Sequence, residues 1–113
     1  MESIKRGTTP TISAQVDGVE IDDIEKIEFI FKHIVSSRSA AICTKSYPGG
    51  GVSYDAQNAT FDIALTDAET RKFCAASTAY MDTRITLTGG VIPQTNIVQF
   101  PVLETLFPEV VHD

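Results

Sequence analysis

Residues 60–87, TFDIALTDAETRKFCAASTAYMDTRITL, decide the fold. Phe61, Ile63 and Leu65 alternate with Asp62 and Ala64, the two-residue period of a strand with one face buried. Thr66 stands three residues before Glu69, the spacing of a helix capping box in which hydroxyl and carboxylate each take an orphan backbone N–H. Beyond Phe73, Met81, Thr83, Ile85 and Leu87 alternate with Asp82, Arg84 and Thr86. The stretch therefore predicts strand, one or two capped helical turns, and a second strand.

Upstream, Pro10 forces Thr9 into an extended conformation. Ile12, Ala14 and Val16 alternate with Thr11, Ser13 and Gln15 as a further strand. Asp17–Gly18 reads as a hairpin turn, with Val19 and Ile21 beginning the return. Two periods compete from Ile24 to Val35. Ile27, Phe29, Phe31 and Val35 share a strand face, while Ile24, Ile27, Phe31 and Ile34 line a helix. The density of Ile, Phe and Val favours strand. Ser36 to Ser39 is a polar connection, and Ala40 to Tyr47 a weaker strand with Ile42 and either Ala41 or Cys43 inward. Pro48–Gly49–Gly50–Gly51 reads as a flexible hairpin tip leading into extended Val52–Tyr54, and Asp55 to Ala59 as a second turn.

Downstream, Thr88–Gly89–Gly90 and Pro93 break the chain after Leu87. From Thr95 to Leu103, Val98, Phe100 and Val102 fall on one side, Ile97, Gln99 and Leu103 on the other. Pro101 lacks a ladder N–H, which predicts an edge strand or a bulge there. Residues 104–113 form a candidate tail carrying Leu106, Phe107, Val110 and Val111. About seven short strands with one short helix make this a mainly β chain, a two-sheet antiparallel sandwich or an open barrel. Its 113 residues, 42% of them hydrophobic, suit one domain with its own core.

Charge and composition exclude several functions. Nine Lys and Arg against 15 Asp and Glu give a net charge of −6, which repels a phosphate backbone. The basic pairs Lys5–Arg6 and Arg71–Lys72 make no patch, so no nucleic-acid partner is expected. MESIKRGTTP lacks the apolar run of a signal peptide, and no stretch suits a membrane span. Synthesis in the cytoplasm is expected, with Cys43 and Cys74 as free thiols.

No catalytic or metal constellation is visible. The acids Asp22, Asp23, Glu25 and Glu28 lack the spacing and glycine of a calcium loop. Pro48–Gly51 lacks the strand-to-helix setting of a phosphate cradle. His33 has no partner at ligand spacing and reads as a packed or rim residue. His112 lies beside the C-terminus, and His33 with Cys43 is the one imaginable dyad. Asp82 and Arg84 read as surface contacts. The chain is expected to be no enzyme and to need no cofactor.

IKRGTTPTISAQVDG, IEKIEFIFKH, FDIALTDAET and YMDTRITLTGGVIPQTNIVQFPV together resemble small prophage proteins of Gram-positive bacteria. They also resemble, more distantly, the N-terminal immunoglobulin-like domain of phage baseplate upper proteins. The resemblance spans Ile4 to Val102 and implies an immunoglobulin-like β-sandwich. It further implies a non-catalytic structural or adaptor domain of a virion baseplate or tail, whose partners are other phage structural proteins. The apolar tail at Leu106, Phe107, Val110 and Val111 either packs home or docks on another subunit, which would make a homo-oligomer. This chain stops where the baseplate proteins continue into helical linkers. Candidate contact residues are Pro101, Leu106 and Phe107. The alternative is a carbohydrate-binding sandwich module using Tyr47 and Tyr54, which flank the glycine loop.

Overall fold

The computed structural model describes residues 3–15, 20–36, 38–74, 77–91 and 97–104. The Asp17–Gly18 turn, Pro93 and the tail residues Leu106, Phe107, Val110, Val111 and His112 lie outside them. In chain order the described strands are β1 (Ile4–Lys5), β2 (Thr11–Gln15), β3 (Ile24–Lys32), β4 (Cys43–Tyr47), β5 (Val52–Asp55), β6 (Thr60–Ala64), β7 (Thr78–Leu87), β8 (Gly90–Val91) and β9 (Val98–Leu103). One helical turn, α1 (Asp67–Thr70), joins β6 to β7, and a 3-10 turn (Ile21–Asp23) precedes β3. The protein is mainly β, with seven strands of four residues or more and two of only two residues among the described residues.

The strands form two sheets. The larger has the order β1-β9-β7-β3-β4 with β8 beside β7, and the smaller the order β2-β6-β5. Lettered along the chain from β2 as B, this is B-E-D against G-F-C-C′, the strand order of an immunoglobulin-like sandwich. All strand pairs are antiparallel except β1, which runs parallel to β9.

Alternation sets the faces. Ile12 and Ile63 stand in register on the small sheet, as do Ile27 with Ile85 and Phe31 with Met81 on the large one. All of these are buried, together with Phe29, Val52, Phe61, Ala79, Phe100 and Val102. Phe31 sits at the centre, edge-on to Phe73 at 5.8 Å and tilted against Phe100 at 6.3 Å. Each such ring, once buried, contributes about 1.5–3 kcal/mol.

The capped helix forms as its spacing requires. Thr66 Oγ1 accepts the Glu69 N–H at 3.1 Å, and Glu69 Oε1 accepts the Thr66 N–H at 2.9 Å. The Thr88–Gly89 turn closes a hairpin in which Leu87 pairs with Gly90.

Four expectations are corrected. β2 does not return as a hairpin: Ile21 opens the 3-10 turn, and β2 pairs with β6 instead. Pro48–Gly51 is not a hairpin tip but a corner, carrying the chain from β4 in one sheet to β5 in the other. The inward face of the second long strand ends early, because β3 stops at Lys32 and leaves Ile34 and Val35 exposed. Finally, β9 is internal, flanked by β7 and β1. Pro101 is tolerated there for a reason visible in the ladder. Val102 donates to Ser77 O on the β7 side at 2.9 Å, and Leu103 O accepts from Arg6 on the other at 2.8 Å. The Pro101 nitrogen therefore faces away from β7, where β1 pairs only with Val102 and Leu103.

Candidate functional site

Outward-facing residues of the larger sheet build the most developed surface feature. Since Ile27, Phe29 and Phe31 point inward, Lys26, Glu28, Ile30 and Lys32 point outward on β3. By the same parity β7 presents Tyr80, Asp82 and Arg84, and β9 presents Gln99, Pro101 and Leu103. Register places Glu28 against Arg84, Ile30 against Asp82 and Lys32 against Tyr80.

Between them lies an open hollow of about 500 Å³, bordered by Ile30, Tyr80, Ile34, Val35 and Ile97, with Thr44, Ser36 and the charged residues around it. Ile34 and Val35 are 63% and 60% exposed, and Ile97 is 45% exposed. The turn that projects them is internally bonded. Lys32 Nζ donates to Ser36 O at 2.8 Å, and Ser36 N donates to Ile34 O at 2.9 Å. The Ser39 hydroxyl lies 2.9 Å from Ser36 O and 3.1 Å from Ile34 O. With the Ile34 and Ser36 carbonyls bonded locally, the turn leaves the Ile34 and Val35 side chains exposed.

Two cations on this face pair with one carboxylate. Arg84 Nε and Nη2 donate to Glu28 Oε1 at 2.9 and 2.8 Å, and Lys26 Nζ stands 3.5 Å from Glu28 Oε2. The Arg84 hydrogen bond outweighs partial burial and holds the Glu28 carboxyl below its usual range. Asp82 Oδ1 accepts the Thr83 N–H at 2.9 Å. A surface of exposed aliphatic side chains ringed by charges of both signs has the composition of a protein-contact surface.

The residues expected to carry function are scattered. Pro101 is half-exposed on this same outer face, opposite Thr78, whereas Leu106 and Phe107 lie outside the described residues. Tyr47 and Tyr54 are half-buried and pack against Phe61, at 5.5 and 5.0 Å between ring centroids. His33 and Cys43 are engaged separately. His33 Nε2 accepts the Cys74 N–H at 2.8 Å, and Nδ1 lies 3.0 Å from Thr78 O, so the proton belongs on Nδ1. Its ring packs edge-on against Phe73. Cys43 is buried, with Sγ 3.4 Å from Glu69 Oε2. Burial, then the Glu69 charge, push its thiol up to about 11, which keeps it protonated and a poor nucleophile. Cys74 is exposed, and neither cysteine is in a disulfide.

Among the described residues no group of three or more His, Cys, Asp or Glu could hold a metal ion. No described helix is long and apolar enough to cross a membrane. No protein-family model, curated protein or solved structure matches the chain. The hollow on the larger sheet is therefore a candidate on its geometry alone. Sequence reading missed Ile30, Ile34, Val35, Tyr80 and Ile97 as a group. The available signal was Ile30, an aliphatic residue at an outward position between Phe29 and Phe31.

Proposed function

We propose that this domain is a non-catalytic contact module that presents the outer face of its larger sheet to another protein. One observation carries the proposal: Ile34, Val35 and Ile97, three of the most exposed large aliphatic residues described, border a single hollow. Leaving them in water costs free energy that a covering partner recovers. The resemblance to phage baseplate domains supports a setting in a virion baseplate or tail, the chain being made in the cytoplasm and assembled with other phage structural proteins. A carbohydrate-binding module would need the Tyr47 and Tyr54 rings as open platforms. Both are packed on Phe61, which favours protein contact over sugar.

Co-expression with the proteins encoded by adjacent genes tests the proposal. At least one tail, baseplate or capsid protein is expected to co-purify, and Ile34→Glu with Val35→Glu is expected to release it. Absence of any such partner, or capture unaffected by both substitutions, overturns it.

A further inference from the structure

We infer that His33 is an acid-released latch: its neutral ring clamps the connection between α1 and β7 to the end of β3, and protonation of the ring lets that connection go.

The clamp is one imidazole in one tautomer. His33 is the first residue beyond β3 and is half-buried, with its ring edge-on to Phe73 at 5.9 Å. Nε2 accepts the Cys74 N–H at 2.8 Å, which requires a lone pair on that nitrogen. Nδ1 lies 3.0 Å from Thr78 O, which requires a proton on this one. Only the neutral ring satisfies both. Cys74 is tied at its other backbone group too, since the Ser77 hydroxyl donates to Cys74 O. Phe73, 1% exposed and packed on Phe31, directly precedes it. The ring thus fixes a stretch that carries a core side chain.

Protonation reverses one of these bonds. It puts a hydrogen on Nε2, where it confronts the Cys74 N–H donor, while the Nδ1 bond survives. No counter-charge offsets the change. Cys74, Ser77, Thr78 and Phe73 each meet the ring through an uncharged group. The charged and titratable side chains on the elements around it are Lys32 on β3, Arg71, Lys72 and Cys74 on the connection, and Tyr80 and Asp82 on β7. Lys32 donates to Ser36 O, Arg71 pairs with Asp67, and Asp82 accepts the Thr83 N–H. Among the described residues no carboxylate pairs with the ring. His33 also roots the Ile34–Val35 turn, so release frees the base of the contact face proposed above. That consequence rests on the contact role, whereas the latch does not.

Amide hydrogen exchange of the full chain, read residue by residue by NMR at about pH 7.5 and about pH 5.5, tests the latch without any partner. Imidazoles change charge across that interval, whereas ordinary carboxylates stay ionised. After correction for the intrinsic pH dependence of exchange, protection of the Cys74 amide is expected to fall at least about tenfold at the lower pH. The Ile42 amide, bonded to Phe31 O at 2.7 Å, is expected to keep its protection, which separates local release from unfolding. His33→Gln offers an amide oxygen to the Cys74 N–H and cannot gain charge, so its Cys74 protection should not depend on pH. Equal protection of Cys74 at the two pH values in the parent protein overturns the inference, whether or not the variant folds. So do parallel losses at Cys74 and Ile42, and so does a pH-dependent loss at Cys74 that persists in His33→Gln. Each of these results leaves the co-expression experiment untouched, so failure of the latch and failure of the contact role are distinguishable.

Discussion

Glu69 of α1 and Lys45 of β4 form a 2.7 Å ion pair that fastens the helical connection to the edge strand of the larger sheet. The same carboxylate oxygen accepts the Thr66 N–H at 2.9 Å, and its companion oxygen lies 3.4 Å from Cys43 Sγ. One side chain thus closes a helix cap and ties that helix to a strand more than twenty residues earlier in the chain.

Acid should undo this tie. Partial burial raises the Glu69 pKa, but the Lys45 hydrogen bond, the Thr66 N–H and the Cys43 thiol together outweigh it and hold the group at about 2. A carboxyl with a depressed folded pKa contributes stability that is present above its unfolded value of 4.5 and is lost as pH falls towards about 2. The full shift corresponds to about 3 kcal/mol, which solvent screening reduces to about 1–2 kcal/mol. Glu69→Gln is expected to lose that amount near neutral pH and to flatten the acid limb of stability. Denaturant midpoints measured between about pH 2 and about pH 7 check this. Parallel acid limbs for the two proteins would refute it.

A second fastening is made by the next residue of α1. Thr70 is fully buried, and its hydroxyl accepts the Gly7 N–H at 3.1 Å while lying 2.9 Å from Thr8 O and 3.0 Å from Asp67 O. Thr70→Val keeps the volume but leaves the Gly7 N–H without this acceptor, at a cost of about 1–3 kcal/mol. Thr70→Ser retains the hydroxyl and should lose less. Thermal unfolding of both variants gives the order, and equal losses would show that the methyl group matters rather than the bond.

The thiols should differ in reactivity. Cys74 is exposed, whereas Cys43 is buried with its thiol pushed up to about 11. A thiol reagent near pH 8 is expected to label one cysteine rapidly in the folded protein and the second only on unfolding. Cys74→Ser should abolish the rapid phase. Rapid labelling that survives this substitution would place Cys43 in solvent.

Elements of this fold were legible in the sequence wherever a short-range rule governs them. The Thr66–Glu69 spacing specifies its cap because both partners lie within one turn. Alternation in Phe61–Ile63–Leu65 likewise finds a strand whichever strand lies beside it. Pairing was not legible, since Ile12 and Ala14 alternate identically whether β2 folds back on itself or meets β6. The contact face failed for a related reason. Val35 shares parity with Phe31, so a two-residue period assigns it inward, but the strand ends at Lys32 and parity ends with it.

Glycines at the corner between the sheets should not be equivalent to those in the last hairpin. Ser46 and Gly50 exchange backbone hydrogen bonds, each 3.0 Å long. A Cβ on Gly50 would stand 2.0 Å from Ser46 Oγ and 2.9 Å from Ser46 O. Rotating the serine relieves the first clash but not the second, which is with backbone. Gly50→Ala is therefore expected to destabilise by about 1–3 kcal/mol. Gly89→Ala meets nothing within 4 Å and should be neutral or stabilising by up to about 1 kcal/mol, through lost freedom of the unfolded chain. Denaturant titrations of the two variants settle the contrast, and similar shifts would mean the corner yields easily.

Tyr47 and Tyr54 offer the test that separates packing from ligand binding. They lie on strands of different sheets, β4 and β5, and converge on Phe61 from the two layers, at 5.5 Å and 66° and at 5.0 Å and 53°. Phe61 itself is 2% exposed, so these rings close the core at its end. Tyr47→Ala and Tyr54→Ala are each expected to cost about 1–3 kcal/mol, somewhat below the loss for a fully buried ring because both keep a wet side. Since the two share Phe61, the double variant should depart from additivity by about 0.5–1.5 kcal/mol. Denaturant unfolding of the four proteins in the cycle measures the coupling. Single variants as stable as the parent would instead mean that the rings are held open for something else to stack on.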